Sequence, residues 1–270
     1  MIPSAPEPDQ EPGRWDNHVS VYEEVFEPFS TVFADVAIDR LAVGPGMHVL
    51  DVGAGSGGAA LALARHGCKV TAIDASERMV TRIEARAAGR EIVAEVMDGQ
   101  ALTYPDGRFD AVLSVFGVIL FPDAVRGLAE MRRVVRPGGR VAIVTWTEPQ
   151  HYELSAALRA AIETVRPGGK PGALPAQLRF RERDACAALF QSAGFGDVTI
   201  DAHSAMLRAP SARWLAERLA FAPGMAAQLA GLGPERSAVL EQFVSAVETK
   251  QGNGEVLFAG RAFVAYGDVT

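Results

Sequence analysis

Between residues 47 and 147 the chain alternates two kinds of stretch. Short apolar runs at 47–52, 69–74, 91–97, 109–115 and 140–147 are each too brief for a stable helix. Longer stretches at 57–66, 76–88 and 123–135 separate most of them and carry apolar residues at helical spacing. Strands buried on both faces read as continuous apolar runs, and strands alternating with helices read as βαβ units. The pattern therefore predicts a parallel sheet with helices on both faces, a doubly wound α/β fold.

Upstream, Val21, Val25, Phe29, Val32, Phe33 and Val36 recur at helical spacing, and Pro28 is expected to divide the segment into two helices. Trp15, His18 and Tyr22 fall three and four apart, so they share one helix face, which either packs in the core or covers a ligand. Downstream, helical stretches are expected at 153–165, 183–193, 211–232 and 234–249, with strands at 198–207 and 257–266. The reading divides the chain into a disordered tail at 1–12 and one domain at 13–270. That domain comprises a helical flap (13–43), a core (44–147), and helical insertions at 148–181 and 209–254 that form a lid over a substrate pocket.

The first strand runs into Gly53-x-Gly55-x-Gly57-Gly58, and an Ala/Leu-rich helix follows. Glycines there allow a sharp turn and close approach of a ligand, and the helix aims its N–H groups and positive dipole end into the turn. Asp51 stands two residues before the first glycine. A nucleotide-like ligand belongs here. Gly53-x-Gly55-x-x-Gly58 satisfies the dinucleotide fingerprint, and no Gly-Lys-Ser/Thr follows to make a phosphate-binding P-loop. Asp74 ends the second strand about twenty residues on, where an acid either accepts from a ribose diol or caps the next helix, as Ser76 also could. Asp98 ends the third strand on the other flank of the turn.

Composition narrows the partners. With 270 residues, 49% hydrophobic, the chain has ample material for a core, and its net charge of −7 argues for a small-molecule substrate over nucleic acid. Cys68 and Cys186 form no metal-type pair and read as free thiols in a reducing compartment. No metal-ligand cluster, signal peptide or membrane-length apolar run is apparent, so a cytoplasmic protein is expected.

Four motifs in order resemble the class I S-adenosylmethionine (SAM) methyltransferases, in the branch that includes the ubiquinone/menaquinone-biosynthesis type. They are Leu-Asp-Val-Gly-Ala-Gly-Ser-Gly at 50–57, Val-Thr-Ala-Ile-Asp at 70–74, Met-Asp-Gly-Gln-Ala-Leu at 97–102 and Phe-Asp-Ala-Val-Leu-Ser at 109–114. Arg136-Pro137-Gly138-Gly139-Arg140 resembles the turn before that family's fifth strand. The resemblance implies a Rossmann-like, mostly parallel seven-stranded sheet with an antiparallel last strand. It also implies SAM as cofactor and S-adenosylhomocysteine as product. Gly53, Ala54 and Gly55 would approach the methionine part and Asp51 would fix its amino group. Asp74 would hold the ribose, with Ala75 and Met79 beside the adenine. Asp98 and Gly99, aided by Gln100, would read the adenine edge. Val115 and Phe116 would floor the sulfonium site, and Tyr22 would reach the carboxylate.

Transfer from a sulfonium is an in-line displacement that asks mainly for positioning and exclusion of water, with a general base for some acceptors. His18, Glu148, His151 and Tyr152 are candidates for that base, though their spacing is no catalytic signature and packing or surface roles account for each. The leading reading is methyl transfer to a small molecule: a quinone precursor, a phenolic or polyketide natural product, or an amine. An NAD(P)-dependent oxidoreductase and a SAM-binding protein that does not methylate stand as alternatives. A monomer or homodimer is expected.

Overall fold

The computed structural model describes residues 15–16, 18–168 and 176–270. The tail expected at 1–12 lies outside the described residues, as do positions 169–175 within the first expected insertion.

The flap begins with a short helical turn, Val19–Val21, continues as a wide π-helical turn, Tyr22–Phe26, and enters α1, Glu27–Leu41. Pro28 does not divide this segment into two helices. It sits in the first turn of α1, and the Glu27 N–H reaches back five residues to the Tyr22 carbonyl. A proline cannot donate to the preceding turn, and the widened turn just before it absorbs that break.

The core follows as β1 (His48–Val52), α2 (Gly58–Arg65), β2 (Lys69–Asp74), α3 (Glu77–Arg86), β3 (Ile92–Val96), β4 (Phe109–Val115), α4 (Ala124–Val134) and β5 (Val135–Trp146). β5 starts earlier than expected because the Arg136–Gly139 stretch is taken up as an irregularity in its pairing with β4. Then come α5 (Glu153–Val165), α6 (Arg183–Ser192), β6 (Thr199–Ala209), α7 (Ala212–Ala216), α8 (Pro223–Ala230), α9 (Arg236–Gln251) and β7 (Val256–Asp268). The single helix expected at 211–232 is broken: a 3₁₀ turn at Leu219–Phe221 intervenes, and Pro223 starts α8 because it has no N–H with which to continue the turn before it.

The seven strands form one sheet in the order β3-β2-β1-β4-β5-β7-β6. β1 to β5 pair in parallel, and β7 runs antiparallel to both of its neighbours. Because β1 lies between β2 and β4, the chain reverses its direction of travel across the sheet there. The carboxyl ends of β1 and β4 thus flank the crevice where ligands of open α/β sheets bind. One face of the sheet is covered by α1 and α2, with Ile83 of α3, and further along by α5 and α7 to α9. The other is covered by α4 and α6. Phe29 and Phe33 of α1 are fully buried, each worth about 2–3 kcal/mol of apolar burial, which fixes the flap's root on the sheet.

Candidate functional site

β1 delivers the chain into the glycine turn. The N–H groups of Gly53 and Ala54 both donate to the Ile73 carbonyl at 2.9 Å, folding the turn over the end of β2. Gly53 has φ +68°, and a Cβ there would stand 3.0 Å from Gly117 Cα, so backbone meets backbone where β1 and β4 end. Ser114 stitches the same place: its hydroxyl donates to the Val52 carbonyl at 2.7 Å and accepts from the Val118 N–H at 3.1 Å. The sequence reading had no role for Ser114 or Gly117. The Ser-Val-Phe-Gly run across the end of the fourth strand was the available signal.

Asp74 lies at the end of β2, with Oδ2 accepting from the Gly55 N–H at 2.8 Å and Oδ1 from the Ser76 N–H at 2.9 Å. Ser76, not Asp74, caps α3, accepting from the Met79 N–H at 3.1 Å. With the Ala75 N–H also facing it, the Asp74 carboxylate meets three backbone donors and keeps acceptor capacity for a further one. Met79 is buried on the inner face of α3 and Ala75 is exposed.

Asp51 is 1% exposed, and neither carboxylate oxygen has a well-formed hydrogen bond. Burial, then the Asp74 charge, push it up to about 7, with the Ala60 N–H drawing it back in part. Burial likewise pushes Asp74 up to about 6, against the backbone hydrogen bonds from Ser76, Gly55 and Ala75. A buried carboxylate without a partner is costly, and a cationic ligand group would relieve that cost.

Asp51, Gly53, Ala54, Val115, Ser30 and Tyr22 line one cavity. The Tyr22 ring lies on the glycine turn, its oxygen 3.1 Å from where a Gly55 Cβ would be. Burial and the Glu27 carboxylate raise its phenol, so it stays a hydrogen-bond donor at neutral pH. Beyond Tyr22 the rings continue. Phe26 packs on Tyr22 (5.5 Å between centroids), Phe116 (5.6 Å) and Trp146 (5.9 Å). Trp146 stacks on Tyr152 at 4.8 Å and on Phe29 at 6.0 Å, and packs on Phe116 at 4.5 Å. Phe116 holds φ +58°, a left-handed conformation that a bulky side chain rarely takes. Such strain persists where the surroundings over-determine it, and it aims this ring into the cluster. No periodicity in the sequence pointed to Phe26, Phe29 and Trp146 as neighbours of the turn.

On the other flank, a Cβ on buried Gly99 would stand 2.8 Å from Val52 Cγ1, which places the 98–100 loop against the end of β1. Asp98 is exposed. Both ends of the Gln100 amide are engaged: Nε2 donates to Asp98 Oδ1 at 3.0 Å and Oε1 accepts from the Asp123 N–H at 2.8 Å. Gln100 therefore orients Asp98 rather than presenting a free amide.

The candidates for a base do not converge on one point. His151 is exposed, with Nδ1 3.5 Å from Thr147 Oγ1. Tyr152 is stacked in the ring cluster, and burial raises its phenol. His18 lies in the flap's first turn, its carbonyl accepting from the Tyr22 N–H at 2.8 Å, and Glu148 immediately precedes the 3₁₀ turn that leads into α5.

Comparison with known proteins agrees with this geometry. Residues 50–143 match the family described as Methyltransferase domain. An uncharacterized protein of Mycobacterium tuberculosis is 34% identical over 162 residues, 59% of this chain and 57% of the relative, so the chain spans less than two thirds of that relative's length. The demethylmenaquinone methyltransferase of Deinococcus radiodurans is 33% identical over 173 residues, 59% of this chain and 71% of the relative. In fold, the chain is similar to phosphoethanolamine N-methyltransferase 2 of Haemonchus contortus, solved with phosphomonomethylethanolamine and S-adenosylhomocysteine. That likeness has a TM-score of 0.53 at 18% identity and covers 88% of this chain and 52% of that one. The chain belongs to the class I SAM-dependent methyltransferases.

Proposed function

We propose that this chain transfers a methyl group from SAM to a flat, apolar aromatic acceptor of the quinol or phenol type. The observation that carries the cofactor half is Asp51, a sealed carboxylate without a well-formed partner in the cavity beside the glycine turn. Its chemistry fits the ammonium of a methionine moiety. Asp74 fits the ribose, with acceptor capacity left beyond its backbone donors. Ala75 and Met79 would flank the adenine, and Asp98, steadied by Gln100, would meet its edge with Gly99 beneath. Tyr22, a protonated phenol, would donate to the cofactor carboxylate.

When bound, SAM supplies an electrophilic methyl on a sulfonium for in-line displacement. This chain's residues would position and dehydrate the reactants. Val115 and Phe116 border the turn, and the interlocked rings of Phe26, Phe29, Trp146 and Tyr152 form an apolar wall on which an aromatic acceptor can stack. That wall favours an aromatic acceptor over an amine, and the name of the Deinococcus relative points the same way. The inserted helices α7 to α9 build onto α5 and the β6–β7 pair, and in this reading they close the acceptor side. Family membership weighs against the nicotinamide reading. Among the described residues no helix is long and apolar enough to cross a membrane.

The test is to incubate the protein with SAM labelled on its methyl group and a reduced naphthoquinone, then follow label into the organic phase. Transfer to the quinol and not to a primary amine is the expected result. Transfer to the amine instead would overturn the aromatic acceptor, and binding of SAM without transfer to either would favour a binder that does not methylate.

A further inference from the structure

Ser56 sits fully buried in the glycine turn between Gly55 (φ +56°) and Gly57 (φ +94°). It is held from two directions. Its hydroxyl donates to Glu27 Oε2, and its carbonyl accepts from Arg86 Nη1 at 2.8 Å. The same guanidinium closes the ring with a two-point pair to Glu27, 2.7 Å on each side. The three residues come from the flap, the turn and α3. Glu27 is 9% exposed, and its stem crosses the start of α2, with Cγ 2.7 Å from where a Gly58 Cβ would be.

Further contacts run along the same seam. Asp16 accepts from Ser76 Oγ at 2.5 Å, and its carbonyl accepts from Arg78 at 3.1 Å. Glu23 takes a two-point pair from Arg82 at 2.8 and 2.7 Å. Arginines 78, 82 and 86 are spaced four apart, one helix face of α3, and each meets a flap residue. The outer contacts are half-exposed and contribute little each. The Glu27–Arg86 pair differs, because it is mostly buried, bidentate and shared with Ser56.

A turn of alternating glycines is soft, so its shape is set by whatever holds the residue between them. Resting on the SAM-binding reading above, we propose that Glu27 and Arg86 are positioning residues that set the glycine turn in its ligand-receiving shape through Ser56, making flap closure and cofactor affinity one coupled event. The turn that presents the Gly55 N–H to Asp74 and the flap that lays Tyr22 on Gly55 share this clamp.

The test compares wild type, Glu27→Gln, Ser56→Ala and the double variant. S-adenosylhomocysteine affinity is measured by calorimetry, thermal stability by melting, and amide hydrogen exchange over residues 53–62 without ligand. Each single change is expected to weaken binding about tenfold, as for a lost charge-assisted hydrogen bond. The double variant should be no weaker than the worse single, and exchange in the turn should quicken in all three variants. Affinity within about twofold of wild type, multiplying effects, or a lower melting temperature at unchanged affinity would overturn the proposal. Should Glu27→Gln not fold, Arg86→Lys, which keeps the charge and loses the two-point geometry, takes its place in the same cycle. If wild type itself does not bind S-adenosylhomocysteine, the cofactor reading fails, and the exchange rates of the ligand-free variants decide the clamp on their own.

Discussion

At the glycine turn, backbone does the shaping. Gly53 and Ala54 converge on the Ile73 carbonyl, Gly53 nearly touches Gly117, and the Gly55 N–H meets Asp74. Beyond Tyr22, Phe26, Phe116, Trp146 and Tyr152 interlock ring on ring, and shape comes from side chains. The first wall admits almost no substitution, because an added Cβ has nowhere to go. The second can be recut by exchanging one ring for another of similar volume. In this account a common cofactor sits against the rigid wall and the variable acceptor against the adaptable one.

The largest expected effect strikes the adaptable wall. Trp146→Ala leaves a hole among rings that bury it to 7% exposure, and it should cost about 3 kcal/mol in urea denaturation. If the walls are distinct in role, S-adenosylhomocysteine affinity of the folded variant stays near wild type while quinol methylation falls. Equal losses of both would dissolve the distinction. On the rigid wall, Gly53→Ala forces an alanine to φ +68° against Gly117. It should cost about 1–2 kcal/mol in stability from the left-handed backbone alone, and it should also abolish tight cofactor binding by shifting the turn, both read by denaturation and calorimetry.

Asp74→Ala should weaken SAM binding by about 1–3 kcal/mol with the fold intact, as for a lost hydrogen-bond partner of a polar ligand. Unchanged affinity in calorimetry would place the ribose elsewhere.

The smallest effect is in pH. Asp51 rises from 3.8 to about 7 and Asp74 from 3.8 to about 6 in the ligand-free fold. A carboxyl held protonated more tightly when folded stabilises the fold below its unfolded value, and that contribution is lost as pH rises through the folded value. These two groups should therefore make the ligand-free protein less stable from about pH 4 to about pH 7, seen in melting temperatures across that range. A cationic ligand prefers both ionised, so its binding near pH 6 should release protons, measured by calorimetry in buffers of different ionisation heat. No dependence on buffer would mean that Asp51 does not meet the ammonium.

The same contrast explains what the sequence disclosed. A wall built from backbone must spell out its glycines. Gly53, Gly55 and Gly57, with the acids at 51, 74 and 98 at or just past the ends of successive strands, were therefore readable together with the mostly parallel sheet they imply. β4 was legible to the residue, at Phe109–Val115. A wall built from side chains leaves only apolar letters. Phe29 on α1, Phe116 after β4 and Trp146 ending β5 are far apart in sequence, and nothing local says that they meet. The clamp was hidden for the same reason. Glu27 precedes Pro28, where the sequence suggested a helix break, and only the π-helical turn at Tyr22–Phe26 brings it under Ser56. Proline also misled at 223, where one expected helix became two with a 3₁₀ turn between.

The central claim is that a sealed carboxylate beside the glycine turn waits for the cationic end of SAM. Calorimetric titration of S-adenosylhomocysteine into wild type and Asp51→Asn tests it most directly. The substitution keeps size and removes charge. The account predicts saturable binding to wild type and a loss of about 10- to 100-fold in Asp51→Asn, as for a hydrogen bond to a charged group, with the variant at least as stable as wild type at pH 8. Equal affinity in the two proteins, or no binding to wild type while NAD binds, would contradict it.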